Sequence, residues 1–137
     1  MNVSFYARRE PGGERDLLAD GALGAIPVMR GAYVLASTDG TEFIYPWGRS
    51  SVFYIGKASC LLRRLRQHRT FTLKAREEPR ADDPWWPRYQ YGAAFGTAAA
   101  WFTVRGRQSE ADLEADMFAY FYDEFGSIPV ANQQWPW

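Results

Sequence analysis

The sequence predicts a single α+β domain, in which a small antiparallel sheet of about three strands is flanked by helices. Three β-prone runs, 31–36, 41–45 and 52–55, follow one another with turn residues between them, which predicts a sheet with an extended first hairpin. Helical periodicity then appears in 57–68 and, more clearly, in 109–125. The length of 137 residues suits one hydrophobic core and is too short for two comfortable ones, so we expect one domain, 1–137.

The composition predicts a soluble cytoplasmic protein. Hydrophobic residues make up 47% of the chain, and the formal net charge of zero argues against a general nucleic-acid coat protein. Cys60 is the only cysteine, so an internal disulfide is excluded and a cysteine-based zinc site is disfavoured. The first ten residues lack the apolar core of a signal peptide, Arg8 and Arg9 precede no apolar run, and no stretch is long enough to span a membrane.

The remaining elements follow in chain order from turn residues and β-propensity. Asp39-Gly40 predicts a hairpin turn, and Gly56 predicts a break between the third strand and a short basic helix. Residues 70–80 fit a helix or a loop equally well. The other expectations are a strand at 3–6, a turn at 11–13, a short helix at 15–23, a surface loop at 77–87 and a strand at 98–104.

The segment 109–125 is predicted to be an amphipathic helix that carries an unusual carboxylate. Ser109 is the expected N-cap with Asp112 three residues on, and Gly126 is the expected stop. Glu114 falls inside the apolar face, where a charge must be paired, hydrogen-bonded, protonated or metal-bound. An internal salt bridge to an arginine is one explanation. The other is a mostly hydrated cation, for which Mg²⁺ suits a single carboxylate better than Zn²⁺. The apolar face comprises Leu113, Met117, Phe118, Tyr120, Phe121 and Phe125.

The basic segment 57–76 contains seven Lys or Arg residues and no acid. At 100° per residue, Arg64 and His68 lie together beside a leucine stripe, while Arg63 and Arg66 point outward. This arrangement predicts either a phosphate-binding site or a solvated basic face.

Two tyrosines, Tyr33 and Tyr54, lie at matching positions of strands that should pair, and each has a glycine nearby, Gly31 and Gly56. Glycine permits the close approach of a ligand or of another backbone. Tyrosines in strands also serve simply as core or cross-strand packing, so both roles stay open.

Taken in order, these segments resemble the GIY-YIG nuclease family over roughly 30–132. Two features depart from the family pattern: the first motif reads Gly-Ala-Tyr, and the gap between Tyr33 and Tyr54 is about twice the usual length, which implies an insertion around 41–50. A hairpin can absorb such an insertion at little entropic cost. The resemblance is carried by Gly31-Ala32-Tyr33, Tyr54-Ile55-Gly56-Lys57, Arg64 with His68, Glu114, and Pro129 with Asn132.

The resemblance implies a single-metal, Mg²⁺-dependent endonuclease that hydrolyses phosphodiester bonds, with Mn²⁺ as a substitute and DNA as the expected substrate. Glu114 would bind the metal, and Arg64 would contact the non-bridging oxygens of the phosphate. Tyr33 would be the general base, with Lys57 lowering its pKa, and Tyr54 would position phosphate or water. The other implied roles are proton relay or phosphate contact for His68, site support for Gly31, Gly56 and Asn132, and accessory nucleic-acid contacts for Arg63, Arg66 and Arg69.

Two other classes of function fit the same sequence. One is a nucleic-acid-binding or adaptor module that cleaves weakly or not at all. The other is a domain that contacts a protein partner through its Trp-rich loop and the tail Trp135-Pro136-Trp137. A homodimer is a separate expectation, because cutting both strands with one site favours a dimer or two successive nicks.

Overall fold

A computed structural model describes residues 10–78 and 85–132 of the chain. Within them, no helix is long and apolar enough to cross a membrane. The predicted strand at 3–6 and the 135–137 tail lie outside the described residues, as does most of the predicted 77–87 loop. The strands are β1 (Gly13–Asp16), β2 (Gly31–Ala36), β3 (Phe43–Tyr45), β4 (Gly48–Ser50), β5 (Val52–Ala58) and β6 (Ala98–Thr103); the helices are α1 (Leu61–Glu77), α2 (Pro87–Phe95) and α3 (Glu110–Phe125), with 3₁₀ turns at Ala22–Ala25 and Val130–Asn132.

The main sheet is antiparallel, with strand order β1-β6-β2-β5. Its faces are covered by different helices. Val34, Ile55 and Met117 belong to the core on the α3 side, whereas Tyr33 and Leu65 belong to the core on the α1 side. Every residue of β2 is consequently buried. The α+β class is therefore confirmed, with a larger sheet than the sequence predicts.

The predicted hairpin at Asp39-Gly40 is wrong, because β2 pairs with β5 rather than with the run at 41–45. Pairing β2 with β5 brings together two almost wholly buried strands. The intervening 41–50 region instead forms its own two-stranded sheet, β3 with β4. This hairpin is anchored on both sides, since Phe43 contacts Phe53 and Tyr45 contacts Phe121.

The N-terminal part of the described chain also differs from expectation. Residues 13–16 form β1 and pair with β6. The last residue of the turn predicted at 11–13 is therefore part of a strand, and the helix predicted at 15–23 does not form. Gly13 permits this pairing, because the Trp101 indole occupies the space that a Cβ at position 13 would fill. Long-range pairing has here overridden local helix propensity.

Two boundaries and one whole helix were also missed. Strand β5 does not break at Gly56 but continues to Ala58. Helix α1 is 17 residues long rather than short, so 70–77 is helical. Helix α2, which begins at Pro87, was not predicted. In contrast, α3 begins as expected, with Ser109 and Asp112 forming both bonds of a capping box.

Candidate active site

Tyr33 lies at the centre of the candidate site, with its ring across Gly56 of the neighbouring strand. The register places Tyr33 directly opposite Gly56. A Cβ at position 56 would lie 2.5 Å from Cζ and from the hydroxyl oxygen of Tyr33, which no real side chain tolerates. Gly56 therefore makes room for the Tyr33 ring. At Gly31 the close neighbour is the backbone carbonyl of Phe102 on β6, so this glycine permits strand pairing.

The Tyr33 hydroxyl connects two side chains of α1. Arg64 Nε donates to it at 3.3 Å, and the hydroxyl oxygen lies 2.6 Å from His68 Nε2. A guanidinium can only donate, so the hydroxyl oxygen accepts from Arg64, while the donor in the 2.6 Å contact with His68 depends on the histidine tautomer. The predicted juxtaposition of Arg64 and His68 is confirmed, and the residue that joins them is Tyr33.

His68 is fully buried. Burial, with Arg64 and Arg88 nearby, holds the pKa of its imidazole well below the ordinary value, so the ring is neutral at pH 7. His68 Nδ1 has no hydrogen-bond partner among the described residues. The His68 side chain has no exposed surface, and its roles in proton relay or phosphate contact stay predictions.

The surroundings of Tyr33 favour its neutral phenol, so its role as a general base gains no support from them and stays a prediction. Burial raises its pKa, the proximity of Tyr54 adds to the increase, and Arg64 offsets only part of it. The expectation that Lys57 lowers this pKa also fails. Lys57 pairs with Ala32, so it lies on the α3 face of the sheet while the Tyr33 side chain lies on the α1 face.

Tyr54 lies diagonally across from Tyr33 rather than directly opposite, since its own partner is Leu35. The two tyrosine rings are on the same face, with centroids 6.2 Å apart. Tyr54 is 8% exposed, whereas Tyr33 is completely buried. Of the two tyrosines, Tyr54 is therefore the one that retains access to a ligand.

Glu114 lies half-buried on α3, and this burial raises the pKa of its carboxyl group, with Lys57 and Arg64 partly opposing the increase. Within 10–78 and 85–132, its carboxylate makes neither an ion pair within 4.0 Å nor a hydrogen bond, so the salt-bridge explanation finds no partner there. The same part of the chain contains no group of three or more His, Cys, Asp or Glu side chains suited to a metal. One free carboxylate fits a cation that is otherwise held by water and phosphate oxygens, as is usual for Mg²⁺.

A small, open cavity of about 260 Å³ adjoins Arg64 at the end of β5. Its lining is basic, with Lys57, Arg63 and Arg64, and the side chain of Gln67 holds Arg64 by accepting a 2.7 Å bond from Nη1. A larger cavity, of about 1010 Å³, includes none of the predicted site residues. Of these two cavities, the basic one is lined by predicted site residues, and its positive charge suits a phosphate group.

Asn132 supports the site from the edge of the sheet. Its side chain accepts from the backbone N–H of Ile55 and donates to the carbonyl of Ile55, both at 2.9 Å. Strand β5 is an edge strand, so Asn132 takes the place of a missing neighbouring strand beside Tyr54 and Gly56. These two hydrogen bonds to β5 are the contacts by which Asn132 would support the site, as predicted.

The predicted accessory arginines differ in their surroundings. Arg63 and Arg66 are exposed. Arg69 donates to the carbonyls of Leu17 and Ala19, at 2.7 and 2.8 Å, and so ties α1 to the loop after β1. Arg69 therefore has a structural partner, and its contact with nucleic acid stays a prediction.

Sequence reasoning missed Arg88, which α2 brings against Tyr54 and Tyr89. The available signal was Pro87 after two tryptophans, because proline is favoured in the first turn of a helix. A helix predicted there would have placed Arg88 and Tyr89 in its first turn.

Comparisons with protein-family models, with curated proteins and with solved structures found no match to this chain.

Proposed function

We propose that this chain is a Mg²⁺-dependent endonuclease of the GIY-YIG type that hydrolyses phosphodiester bonds in nucleic acid, with DNA as the expected substrate. The observation that carries the proposal is the position of Arg64. Its Nε is anchored on the Tyr33 hydroxyl, and its charge lies close enough to Glu114 to lower the pKa of that carboxyl group.

Arg64 binds the scissile phosphate in this proposal. Its bonds to Tyr33 and Gln67 use Nε and Nη1, which leaves Nη2 for an oxygen of the substrate. A guanidinium fixed on one side and free on the other can orient a phosphate and stabilise charge that develops at phosphorus. Lys57 and Arg63, which line the same cavity, supply further positive charge.

Glu114 holds the metal ion. When bound there, Mg²⁺ would supply charge neutralisation and a water of lowered pKa. A carboxylate without an ion-pair partner in the described structure is free to act as a ligand, and Lys57 and Arg64 keep the site attractive to the phosphate as well.

Tyr33 and His68 act as a positioning pair rather than as a base. In this proposal the Tyr33 hydroxyl donates a hydrogen bond to Nε2 of the neutral imidazole, and this directs an oxygen lone pair of Tyr33 towards Arg64 Nε. The less buried Tyr54 is the hydroxyl that contacts the phosphate or the attacking water.

The test is cleavage of supercoiled plasmid and of labelled oligonucleotides with Mg²⁺ or Mn²⁺, with EDTA as the blank. Glu114→Gln and Arg64→Ala should abolish cleavage, each with a loss of at least about 100-fold. The matched controls are Glu110→Gln, one turn earlier on α3, and Arg76→Ala, in the last turn of α1. A folded wild-type protein that leaves duplex, single-stranded and branched DNA and RNA intact would refute the proposal.

A second candidate is a module on the same scaffold that binds nucleic acid without cutting it. The observation that favours it is the burial of Tyr33, which raises the pKa of its hydroxyl and so favours the neutral phenol over the phenolate that a general base requires. Binding that weakens with salt and depends on Arg64, together with no cleavage under any metal condition, would select this candidate.

A further inference from the structure

A second cationic element, formed by Trp86 and Arg88, lies beside Tyr54 on the α1 side of the sheet. The Arg88 guanidinium carbon is 5.0 Å from the ring centre of Tyr89, 5.3 Å from that of Trp86 and 5.7 Å from that of Tyr54. Arg88 also influences the pKa of Tyr33 and of His68. The element therefore lies within electrostatic reach of the candidate active site.

Among the residues that the structure describes, the guanidinium of Arg88 contacts aromatic rings and no acid. Across the described part of the chain, the guanidinium makes no ion pair within 4.0 Å, and its Nε is buried without a hydrogen-bond partner. Cation–π contacts offset part of the cost of this arrangement, but they leave the guanidinium donors unused. Arg88 is only partly buried, so an anion would bind the accessible guanidinium donors rather than the buried Nε, and a phosphate is the anion whose geometry matches.

Trp86 is fixed in place but open to a ligand. Its carbonyl accepts the backbone N–H groups of Tyr89 and Gln90, at 2.9 and 3.1 Å, so the start of α2 holds its backbone. The side chain is 50% exposed, while the guanidinium of Arg88 lies over the indole ring. An indole held in this way offers a stacking surface for a planar group.

We propose that Trp86 and Arg88 bind a nucleotide next to the scissile phosphate, with Arg88 contacting a neighbouring phosphate and Trp86 stacking on an unpaired base. This inference rests on the proposed function. Bases inside a duplex are already covered on both faces, so only an unpaired base can stack on a side chain. The substrate class is accordingly nucleic acid that is single-stranded, looped or flapped at the site.

The experiment measures binding without cleavage, by fluorescence anisotropy in EDTA. The probes are a labelled single-stranded oligodeoxynucleotide and the blunt duplex of the same sequence. Wild type should bind the single strand more tightly than the duplex. Trp86→Ala and Arg88→Ala should each weaken single-strand binding by about tenfold or more and change duplex binding by less than about twofold.

The matched controls are Trp47→Ala and Arg49→Ala, an exposed tryptophan and an exposed arginine of the β3–β4 hairpin. Both should bind like wild type. Arg88→Lys, which keeps the charge and loses the planar donors, should recover only part of the lost affinity. Circular dichroism and urea unfolding confirm that each variant is folded before its affinity is compared.

The outcomes separate this inference from the proposed function. Single-strand binding that needs Trp86 and Arg88, in a protein that never cleaves, would support the inference and refute the nuclease. Duplex cleavage with equal affinity for both probes, unchanged in the two variants, would support the nuclease and overturn the inference. Absence of single-strand binding by the wild type would also overturn it.

Discussion

Replacing Gly56 with alanine tests the central contact of the candidate site, the ring of Tyr33 across β5. The new methyl group would lie 2.5 Å from Cζ and from the hydroxyl oxygen of Tyr33, and 2.9 Å from Cε2 of Tyr54. These distances are far below van der Waals contact, so a ring or a strand must move.

The expected cost follows from how tightly the ring is held. Tyr33 is fully buried, and its hydroxyl is committed to His68 and Arg64. Overpacking a filled core costs about 1–3 kcal/mol, and each hydrogen bond lost when the ring shifts adds about 1 kcal/mol. We therefore expect Gly56→Ala to lower the free energy of unfolding by about 2–4 kcal/mol.

The assay is urea unfolding followed by circular dichroism, with Gly24→Ala as the matched control. A Cβ at position 24 meets no atom within 4 Å, so that variant should stay within about 0.5 kcal/mol of wild type. If Gly56→Ala were as stable as Gly24→Ala, Tyr33 could not occupy the described position, and the argument for an anchored Arg64 would fail with it.

Three further predictions concern pH and single side chains. His68 is buried and neutral, so only the unfolded chain takes up its proton below the ordinary pKa of about 6.5. Stability should therefore fall by up to ~1.4 kcal/mol per pH unit as the pH drops below that value. Because the chain has one histidine, His68→Gln should reduce this slope in urea titrations at each pH. The raised pKa of Glu114 has the opposite effect on the pH dependence of stability, since its ionised form is disfavoured in the native state. Glu114→Gln should therefore melt no lower than wild type at pH 7 while losing cleavage. Asn132→Ala leaves both backbone groups of Ile55 without the side-chain partner and should cost about 1–3 kcal/mol in urea unfolding.

The parts of the fold that could be predicted from sequence are those that local signals determine. Helix α3 carries its own capping box and stop signal, and β2 is bounded as predicted. The position of Glu114 followed from helical periodicity alone. The proximity of Arg64 and His68 followed in the same way, because they are four residues apart on one helix.

The missed elements depend on partners that are distant in sequence. Strand β1 exists because it pairs with β6, more than eighty positions later. Helix α2 has little apolar periodicity, and its Gly92 lies against Thr72 of α1. No local sequence pattern predicts such contacts.

The wrong prediction that Lys57 lowers the pKa of Tyr33 has a different origin. Residues of a strand alternate between faces, so Gly56 and Lys57 project to opposite sides, and Lys57 could have been separated from Tyr33 by sequence alone. The burial of Tyr33 could not have been predicted in this way, because it depends on α1, on Gly56 and on the neighbouring Tyr54 together. Desolvation by these neighbours sets the direction of the shift.

The sheet divides the candidate site into two parts. On the α1 face, Tyr33 and His68 are buried, neutral and hydrogen-bonded; on the α3 face, Glu114 and Lys57 carry charge and have access to water. Arg64 is connected to both, by a hydrogen bond to Tyr33 and by its electrostatic effect on Glu114. A phosphate bound by Arg64 would thus be oriented by the first part and would face the charges of the second. If the proposed function holds, we expect Tyr33 to be needed for activity through this contact, because without its hydroxyl Arg64 loses the hydrogen bond that fixes its direction.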